Sequence, residues 1–243
     1  MKLLLEFRLE KNKIPLEYRK FFLHFIKDSL SNANDGKYYE NFYHGTDERN
    51  FTFAIFLDKP KFQKDEIILA SNRVKMLFST SDKMAGFIFY SSFLERKKKE
   101  YPLEKGNSIQ LVTARNLREQ EIFANQVLVK TNSPLIIRKH IREGNKDYYY
   151  SFEKEEFLEE AKQTMKRQLL NAGFSETVIE DVNLQPVKCR KVIVTHYGCK
   201  IETTIGNFLL KGNKAVLSYF LQAGIGSRKS EGFGMLELLA QDI

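Results

Sequence analysis

The sequence is poor in several residue types, and each shortage excludes a class of protein. Its 243 residues include no tryptophan, five prolines and only two cysteines, Cys189 and Cys199. Two cysteines cannot build the dense disulfide framework of a small secreted domain, and no CxxC or HxxxH pair is present to bind zinc. No run of about 18 apolar residues occurs, so no membrane-spanning helix is expected. We therefore expect a cytoplasmic protein with reduced thiols and no metal site.

What the sequence does contain is an excess of positive charge and enough apolar residues for a core. Lys and Arg number 39 against 31 Asp and Glu, a formal net charge of +8, and 42% of the residues are hydrophobic. This length suits one large domain or two domains of about 120 residues each. The charge favours an anionic partner such as nucleic acid without identifying it.

The apolar pattern of the first half predicts a ferredoxin-like order of elements. Residues 2–9 alternate with period two, as in a half-buried strand, whereas apolar residues spaced by three and four predict a helix over residues 17–30. A strand is predicted at 51–57, a hairpin at 67–79 that turns around residues 71–72, a helix at 81–94 and a strand at 109–117. The order strand, helix, strand, strand, helix, strand is that of the split βαβ motif.

The second half repeats this order more loosely, with further strands inserted. Strands are predicted near 123–129, 135–138, 148–152, 186–195, 198–205, 208–211 and 235–239, and helices at 153–172 and 214–223. We therefore predict an α+β fold of two tandem ferredoxin-like (RRM-like) βαββαβ domains, residues 1–120 and 121–243. No low-complexity linker separates them, which indicates that the two domains pack together.

One segment stands out, the glycine-rich run GIGSRKSEGFG at residues 224–234. Two glycine pairs, Gly224 with Gly226 and Gly232 with Gly234, flank a basic tip that contains Arg228 and Lys229. Such a loop suits positive φ angles and close backbone approach, and its N–H groups can form an anion-binding concavity. It follows a predicted helix and precedes a strand, so it is neither a Walker loop nor a Rossmann fingerprint, and no nucleotide cofactor is expected.

A C-terminal GhGxxxxxGhG loop that enters a final strand resembles the signature of the RAMP superfamily. Within it the chain is most similar to the CRISPR-associated endoribonuclease that cuts repeat RNA, the sixth Cas family. The resemblance implies CRISPR repeat RNA as the partner and a reaction without metal or cofactor. In that reaction the 2′-hydroxyl attacks the adjacent phosphate and leaves a 2′,3′-cyclic phosphate and a 5′-hydroxyl. Similar loops occur in RAMP subunits that bind RNA without cutting it, and both dimerisation and membership of an effector complex stay open.

The resemblance also implies candidate catalytic residues. His44, between the first helix and the strand at 51–57, matches the family's general acid or base, and a histidine suits proton transfer near neutral pH. Taken alone, a loop histidine more often just hydrogen-bonds its own turn. Arg49 stands where many members carry a lysine that stabilises phosphate charge.

One departure from the family pattern concerns the first helix. Members often supply a tyrosine from this helix, but here its polar face carries His24, Lys27 and Asp28. Tyr39, or its neighbours Tyr38 and Tyr43, would then replace that tyrosine from the following loop, and Lys27 would supply a cation.

Basic clusters predict the RNA-binding surface. Arg138, Lys139 and Arg142 form one cluster, and Lys188 and Arg190, two residues apart in a predicted strand, form another that could follow a phosphate backbone. Together with the glycines and cations of the 224–234 loop, they are the predicted RNA-binding residues. The helix at 153–172 begins with acidic residues and is therefore expected to face away from RNA.

Overall fold

The computed structural model describes residues 1–43, 49–103 and 106–241, with only the backbone at position 41. Among these described residues, the first half has three α-helices, a short 3-10 helix (Asn34–Gly36) between α1 and α2, and eight strands. They occur in the order β1 (Lys2–Leu9), β2 (Lys13–Pro15), α1 (Tyr18–Ser31), α2 (Lys37–Tyr43), β3 (Phe51–Leu57), β4 (Lys61–Phe62), β5 (Glu66–Ile68), β6 (Arg73–Thr80), α3 (Lys83–Glu95), β7 (Glu100–Leu103) and β8 (Asn107–Leu117). The predicted βαββαβ order is therefore confirmed as β1, α1, β3, β6, α3 and β8.

The main sheet of this half is antiparallel, with strand order β3-β6-β1-β8-β7. Strand β1 is central because its alternate residues Leu3, Leu5 and Phe7 are buried, whereas Arg8 on the other face is exposed. An aromatic core forms between the sheet and helices α1 and α3, made of Phe7, Phe22, Phe25, Phe78, Phe89 and Phe93.

The prediction of a hairpin at residues 67–79 is wrong. Strand β6 pairs with β1 and β3 in the main sheet, whereas β5 pairs with β2 and β4 in a separate small sheet. Turn residues between two apolar segments favour pairing of neighbouring strands. In the tertiary structure, however, β6 pairs with β1 at seven positions, from Lys2↔Ser79 to Arg8↔Arg73. A second missed element is α2, which occupies part of the segment expected to be a loop.

The second half has the same arrangement with an added hairpin. Its elements are β9 (Gln126–Thr131), β10 (Ile137–Ile141), β11 (Lys146–Tyr150), α4 (Phe157–Asn171), α5 (Glu176–Ile179), β12 (Asn183–His196), β13 (Cys199–Lys211), α6 (Lys214–Ala223) and β14 (Leu236–Gln241). The sheet order is β12-β13-β9-β14, and β10 pairs with β11 as a separate hairpin. The strands predicted at 198–205 and 208–211 are one strand, β13.

Strand β13 continues through Gly206, where the backbone of β12 comes too close for any other residue. The pairing of β12 with β13 shifts register between Pro186 and Lys188, and a Cβ atom on Gly206 would lie 2.2 Å from the Lys188 carbonyl oxygen. Only a residue without a side chain permits this close approach.

The two halves pack directly on each other through α6 and the segment that follows it. The Tyr219 hydroxyl donates to the Asn50 Oδ1 atom over 2.9 Å, and the Thr52 hydroxyl donates to the Phe233 carbonyl over 2.8 Å. The proposed boundary at residue 120 lies in the connection between β8 and β9. Within the described ranges, no helix combines the length and apolar character needed to cross a membrane.

Candidate functional site

The glycine-rich loop, residues 224–234, joins α6 to β14 and is shaped by close backbone contacts. Gly224, Gly226, Gly232 and Gly234 all have positive φ angles, and so does Arg228 at 58°. A Cβ atom on Gly234 would lie 1.8 Å from the Ile225 carbonyl oxygen, and one on Gly226 would lie 2.5 Å from that of Ile136. The glycines therefore allow the loop to fold back on itself and against residues 135–136.

The N–H groups of these four glycines are used inside the protein. Gly224, Gly232 and Gly234 donate to backbone carbonyls, and Gly226 donates to the Gln168 side chain over 3.3 Å. Gln168 in turn donates to the Gly224 carbonyl over 2.7 Å, which fixes the loop relative to α4. The N–H groups of the four glycines are therefore occupied, and the role of these glycines in RNA binding stays a prediction.

A hydrogen-bond network extends from the core to the tip of the loop. His196, at the end of β12, is buried and lies 2.5 Å from a Glu231 oxygen, and the same carboxylate accepts from Arg228 over 3.1 Å. Arg228 also donates to the Tyr149 hydroxyl, which donates to Asp147 over 3.2 Å. Burial opposes ionisation of Glu231, but the hydrogen bond from His196 and the charge of Arg228 outweigh it and lower the pKa of Glu231.

The β10–β11 hairpin contributes a second group of ionisable residues around Asp147. Arg138 donates to one oxygen of Asp147 over 3.0 Å, and the His140 Nδ1 atom lies 2.8 Å from the other. Burial acts to raise the pKa of Asp147, but the hydrogen bonds from His140 and Arg138 outweigh it and lower that pKa. Arg138 and His140 are two residues apart in β10, so their side chains share one face of the strand.

The two basic residues at the tip of the loop differ in their surroundings. Arg228 is partly exposed and paired with Glu231, whereas the Lys229 side chain is only 3% exposed and its amino group lies 5.9 Å from the centre of the Tyr219 ring. Lys229 is among the residues that border the cleft described next, but its amino group is buried. In this arrangement Lys229 holds the loop in place and does not present its charge to a ligand.

A cleft of about 420 Å³ opens beside the loop. Its walls come from both halves of the protein and are formed by Arg49, Arg138, His140, Thr164, Arg167 and residues 226–231. Four guanidinium groups line it, whereas Glu231 and the nearby Asp147 are the carboxylates bound to two of them. The cleft therefore carries an excess of positive charge and suits an anionic ligand.

Three of the predicted catalytic residues converge on one aromatic ring, that of Tyr43 at the end of α2. The Arg49 guanidinium lies 4.5 Å from the ring centre, the Lys27 amino group lies 4.9 Å from it, and Tyr39 stacks on the same ring at 5.1 Å. Arg49 is held further by a 2.9 Å hydrogen bond from its Nε atom to the Phe42 carbonyl. Burial raises the pKa of Tyr43 well above its ordinary value, which keeps the hydroxyl protonated.

His44, the predicted general acid or base, lies outside the described residues. In the sequence it directly follows Tyr43, the last residue of α2. His24 lies one turn before Lys27 on the exposed face of α1, and burial together with the charges of Lys27 and Lys20 lowers its pKa.

The other predicted RNA-binding residues lie on the surface. Lys139 pairs with Glu160 over 2.5 Å, whereas Arg142, Lys188 and Arg190 are exposed and have no ion pair among the described residues. The prediction that the helix at 153–172 faces away from RNA stays a prediction, and in the structure Arg167 of α4 lines the cleft. This position of Arg167 could not be predicted from the sequence, because the helix also carries the basic residues Lys162 and Lys166. The packing of α4 determines which of the three lines the cleft.

Comparison with known proteins agrees with the predicted fold class. Residues 117–238 match the family model described as CRISPR associated protein Cas6, C-terminal. Among solved structures, a Cas6-related protein of Pyrococcus furiosus superimposes with a TM-score of 0.85 at 18% identity, covering 100% of this chain and 99% of that one. A RAMP protein described as binding different RNA substrates gives 0.84 at 17% identity, covering 99% and 100%.

A third structure, a CRISPR associated protein Cas6, gives a TM-score of 0.78 at 19% identity and covers 99% of both chains. No curated protein sequence matches this chain. At these identities the structural matches establish the fold, and they confirm the prediction of two tandem ferredoxin-like domains.

Proposed function

The chain belongs to the family of CRISPR associated protein Cas6, and on this premise we propose that it is an endoribonuclease that cuts CRISPR repeat RNA without a metal ion. The solved relatives described as a RAMP protein binding RNA substrates and as a Cas6 product complex support a role in RNA binding or processing. The finer proposal, cleavage at a defined phosphodiester, depends on the site in this chain.

The observation that carries the proposal is the position of Arg49. Its guanidinium group lines the cationic cleft beside the glycine-rich loop, and it is held there by the Tyr43 ring and the Phe42 carbonyl. A guanidinium that is fixed before substrate binds stabilises charge that develops on a phosphate without the cost of reorganising in the transition state. Arg49 is also five residues from His44 in the chain.

The proposed reaction is an internal transesterification. The 2′-oxygen forms a bond to phosphorus while the bond from phosphorus to the 5′-oxygen breaks, which yields a 2′,3′-cyclic phosphate and a 5′-hydroxyl. One group must accept the 2′-hydroxyl proton and another must donate a proton to the leaving oxygen, and His44 is the proposed residue for one of these steps. Arg49 stabilises the charge on the phosphorane oxygens.

Lys27 and Tyr39 support this site through Tyr43. Both contact the Tyr43 ring, so they fix the end of α2, from which the chain continues into His44. The cation of Lys27 lies on the same ring as Arg49 and adds positive charge to this region.

The test is cleavage of the repeat RNA from the protein's own locus, in EDTA, by wild type and by His44→Ala. We expect wild type to give 2′,3′-cyclic phosphate ends and His44→Ala to be at least about 100-fold slower, the range of general acid–base catalysis. Repeat RNA with a 2′-deoxy group at the cut site is the matched control and must resist cleavage. Undiminished cutting by His44→Ala would remove His44 from the mechanism.

A second candidate function is RNA binding without catalysis, as a RAMP subunit of a CRISPR effector complex. It is favoured by the polar face of α1, which carries no tyrosine to act as a second proton-transfer group. Wild-type protein that binds the repeat RNA with salt-sensitive affinity, but yields no cyclic-phosphate product, would establish this function in place of the first.

A further inference from the structure

We propose that Arg167, Arg138 and His140 form a subsite that binds a phosphodiester of the RNA next to the one that is cut. This inference rests on the proposed function, because it takes RNA as the ligand of the cleft. The three side chains come from α4 and β10 and line the same cleft as Arg49.

The first argument is the charge balance of the cleft. Arg138 and His140 are bonded to Asp147, and Arg228 is bonded to Glu231, so these two carboxylates are already bound to protein groups. Arg167 is exposed and makes no ion pair among the described residues. Its guanidinium charge is therefore not compensated by the part of the protein that the structure describes, and an anion that enters the cleft would compensate it.

The second argument is that the part of α4 that carries Arg167 is bound to the glycine-rich loop. Its neighbour Gln168 is buried and bonds the loop twice, to Gly224 and Gly226. Thr164, one turn earlier on α4, is also buried and lines the cleft. Because α4 is fixed on either side of Arg167, the backbone of this residue has a fixed position beside the loop, from which its exposed side chain reaches the cleft.

The third argument concerns the groups that face the ligand. Asp147 binds one guanidinium nitrogen of Arg138 and the Nδ1 atom of His140, and no described residue bonds the His140 Nε2 atom. Arg138 and Arg167 thus keep donors for phosphate oxygens, and the planar fork of a guanidinium matches phosphate geometry. The cleft, about 420 Å³, lies within the range of roughly 300–1,000 Å³ typical of small-ligand sites.

A phosphate subsite of this kind positions the RNA and does not read its sequence, since phosphate contacts are the same for every base. Arg167 is therefore expected to act on affinity, whereas Arg49 acts on the chemical step.

The test measures binding of the repeat RNA with a 2′-deoxy cut site by fluorescence anisotropy at several salt concentrations. We expect Arg167→Gln to weaken binding about 10-fold and to lower the slope of log K against log salt by about 1, the effect of losing one phosphate contact. The matched control is Lys166→Gln, an adjacent exposed cation that lines a different cavity with Glu176 and Glu180. Arg167→Lys should recover part of the affinity, because it restores the charge without the fork.

The outcomes separate the subsite from the proposed function. Wild type that cuts the repeat RNA while Arg167→Gln binds it as tightly as Lys166→Gln does would overturn the subsite alone. Wild type that neither binds nor cuts the RNA would overturn both. Thermal unfolding of Arg167→Gln should match that of Lys166→Gln, so that a loss of affinity is not a loss of folding.

Discussion

The Nε2 atom of His196 and the Oε2 atom of Glu231 lie 2.5 Å apart, and the His196 side chain is only 2% exposed. This contact links the end of β12 to the tip of the glycine-rich loop. The His196 ring also packs edge-on against Phe233, so two residues in the C-terminal part of the loop contact one buried histidine. Because Glu231 also holds Arg228, the orientation of a cleft-lining arginine depends on a residue in the core.

Glu231→Gln is expected to destabilise the protein by about 1–3 kcal/mol. The substitution keeps the shape of the side chain but removes the carboxylate charge that accepts hydrogen bonds from His196 and Arg228, so both bonds are weakened. Chemical denaturation at pH 7 measures the loss. Glu143→Gln, an exposed glutamate in the turn of the β10–β11 hairpin, is the control and should change stability by less than about 0.5 kcal/mol.

The difference in stability between wild type and Glu231→Gln should depend on pH, and the pKa of Glu231 determines the sign of this dependence. The pKa of Glu231 is lower in the folded protein than its ordinary value of 4.5, so the folded state favours the ionised form. Its contribution to stability is complete above that value and disappears as the pH falls through the lowered pKa. Urea midpoints measured from pH 7 down to pH 3 should therefore converge for wild type and Glu231→Gln. A difference between the two urea midpoints that stays constant or increases as the pH falls would contradict a stabilising role of ionised Glu231.

Gly234→Ala should be far more destabilising than Gly198→Ala, although both glycines have similar positive φ angles, 68° and 73°. A Cβ atom at Gly198 meets no atom within 4 Å, whereas one at Gly234 would lie 1.8 Å from the Ile225 carbonyl oxygen. Gly198→Ala should therefore lower the free energy of unfolding only by the strain of a left-handed backbone conformation, about 1 kcal/mol. Gly234→Ala must also displace the loop, with a total cost of about 3 kcal/mol or more. Equal unfolding free energies for the two variants would refute this account of the loop.

Arg49→Ala is expected to slow cleavage of saturating repeat RNA about 100- to 1,000-fold in single-turnover assays, since it removes a preorganised cation from the developing phosphorane charge. Arg49→Lys should retain more activity, because the charge remains although the Nε bond to Phe42 is lost. The control is Arg73→Ala, an exposed arginine on β6 that does not line the cleft. If Arg49→Ala cut as fast as this control, Arg49 would have no role in the chemical step.

The exposed cations of β12 offer a test of the wider RNA path. Lys188 and Arg190 have no ion pair among the described residues, whereas the neighbouring Lys191 lies 2.8 Å from Glu153. Replacing Lys188 and Arg190 together with Gln should lower the salt slope of RNA binding by about 2, one for each lost phosphate contact. Lys191→Gln should change it less, because its charge is already paired. An unchanged slope in the double variant would exclude β12 from the RNA-binding surface.

The element order was predictable because local patterns determine it. Period-two alternation in β1 and helical spacing in α1 reflect which faces are buried, and these hold in the structure. Pairing was less predictable, as the strand before Arg73 joins a small separate sheet and not β6. Partners of a strand depend on which distant edge is available, and that information is not local.

The sequence by itself determined the element order of the two ferredoxin-like halves, the excess of positive charge and the presence of the glycine-rich loop. The family resemblance singled out Arg49, Lys27 and Tyr39 as candidates, and the structure places all three against Tyr43. Only the tertiary structure decided which cations face the cleft. It turns Lys229 inward, pairs Lys139 with Glu160 and brings Arg167 to the loop. The physical reason is that a basic side chain has the same charge wherever it lies, whereas its solvent exposure and its partners depend on how the two halves pack.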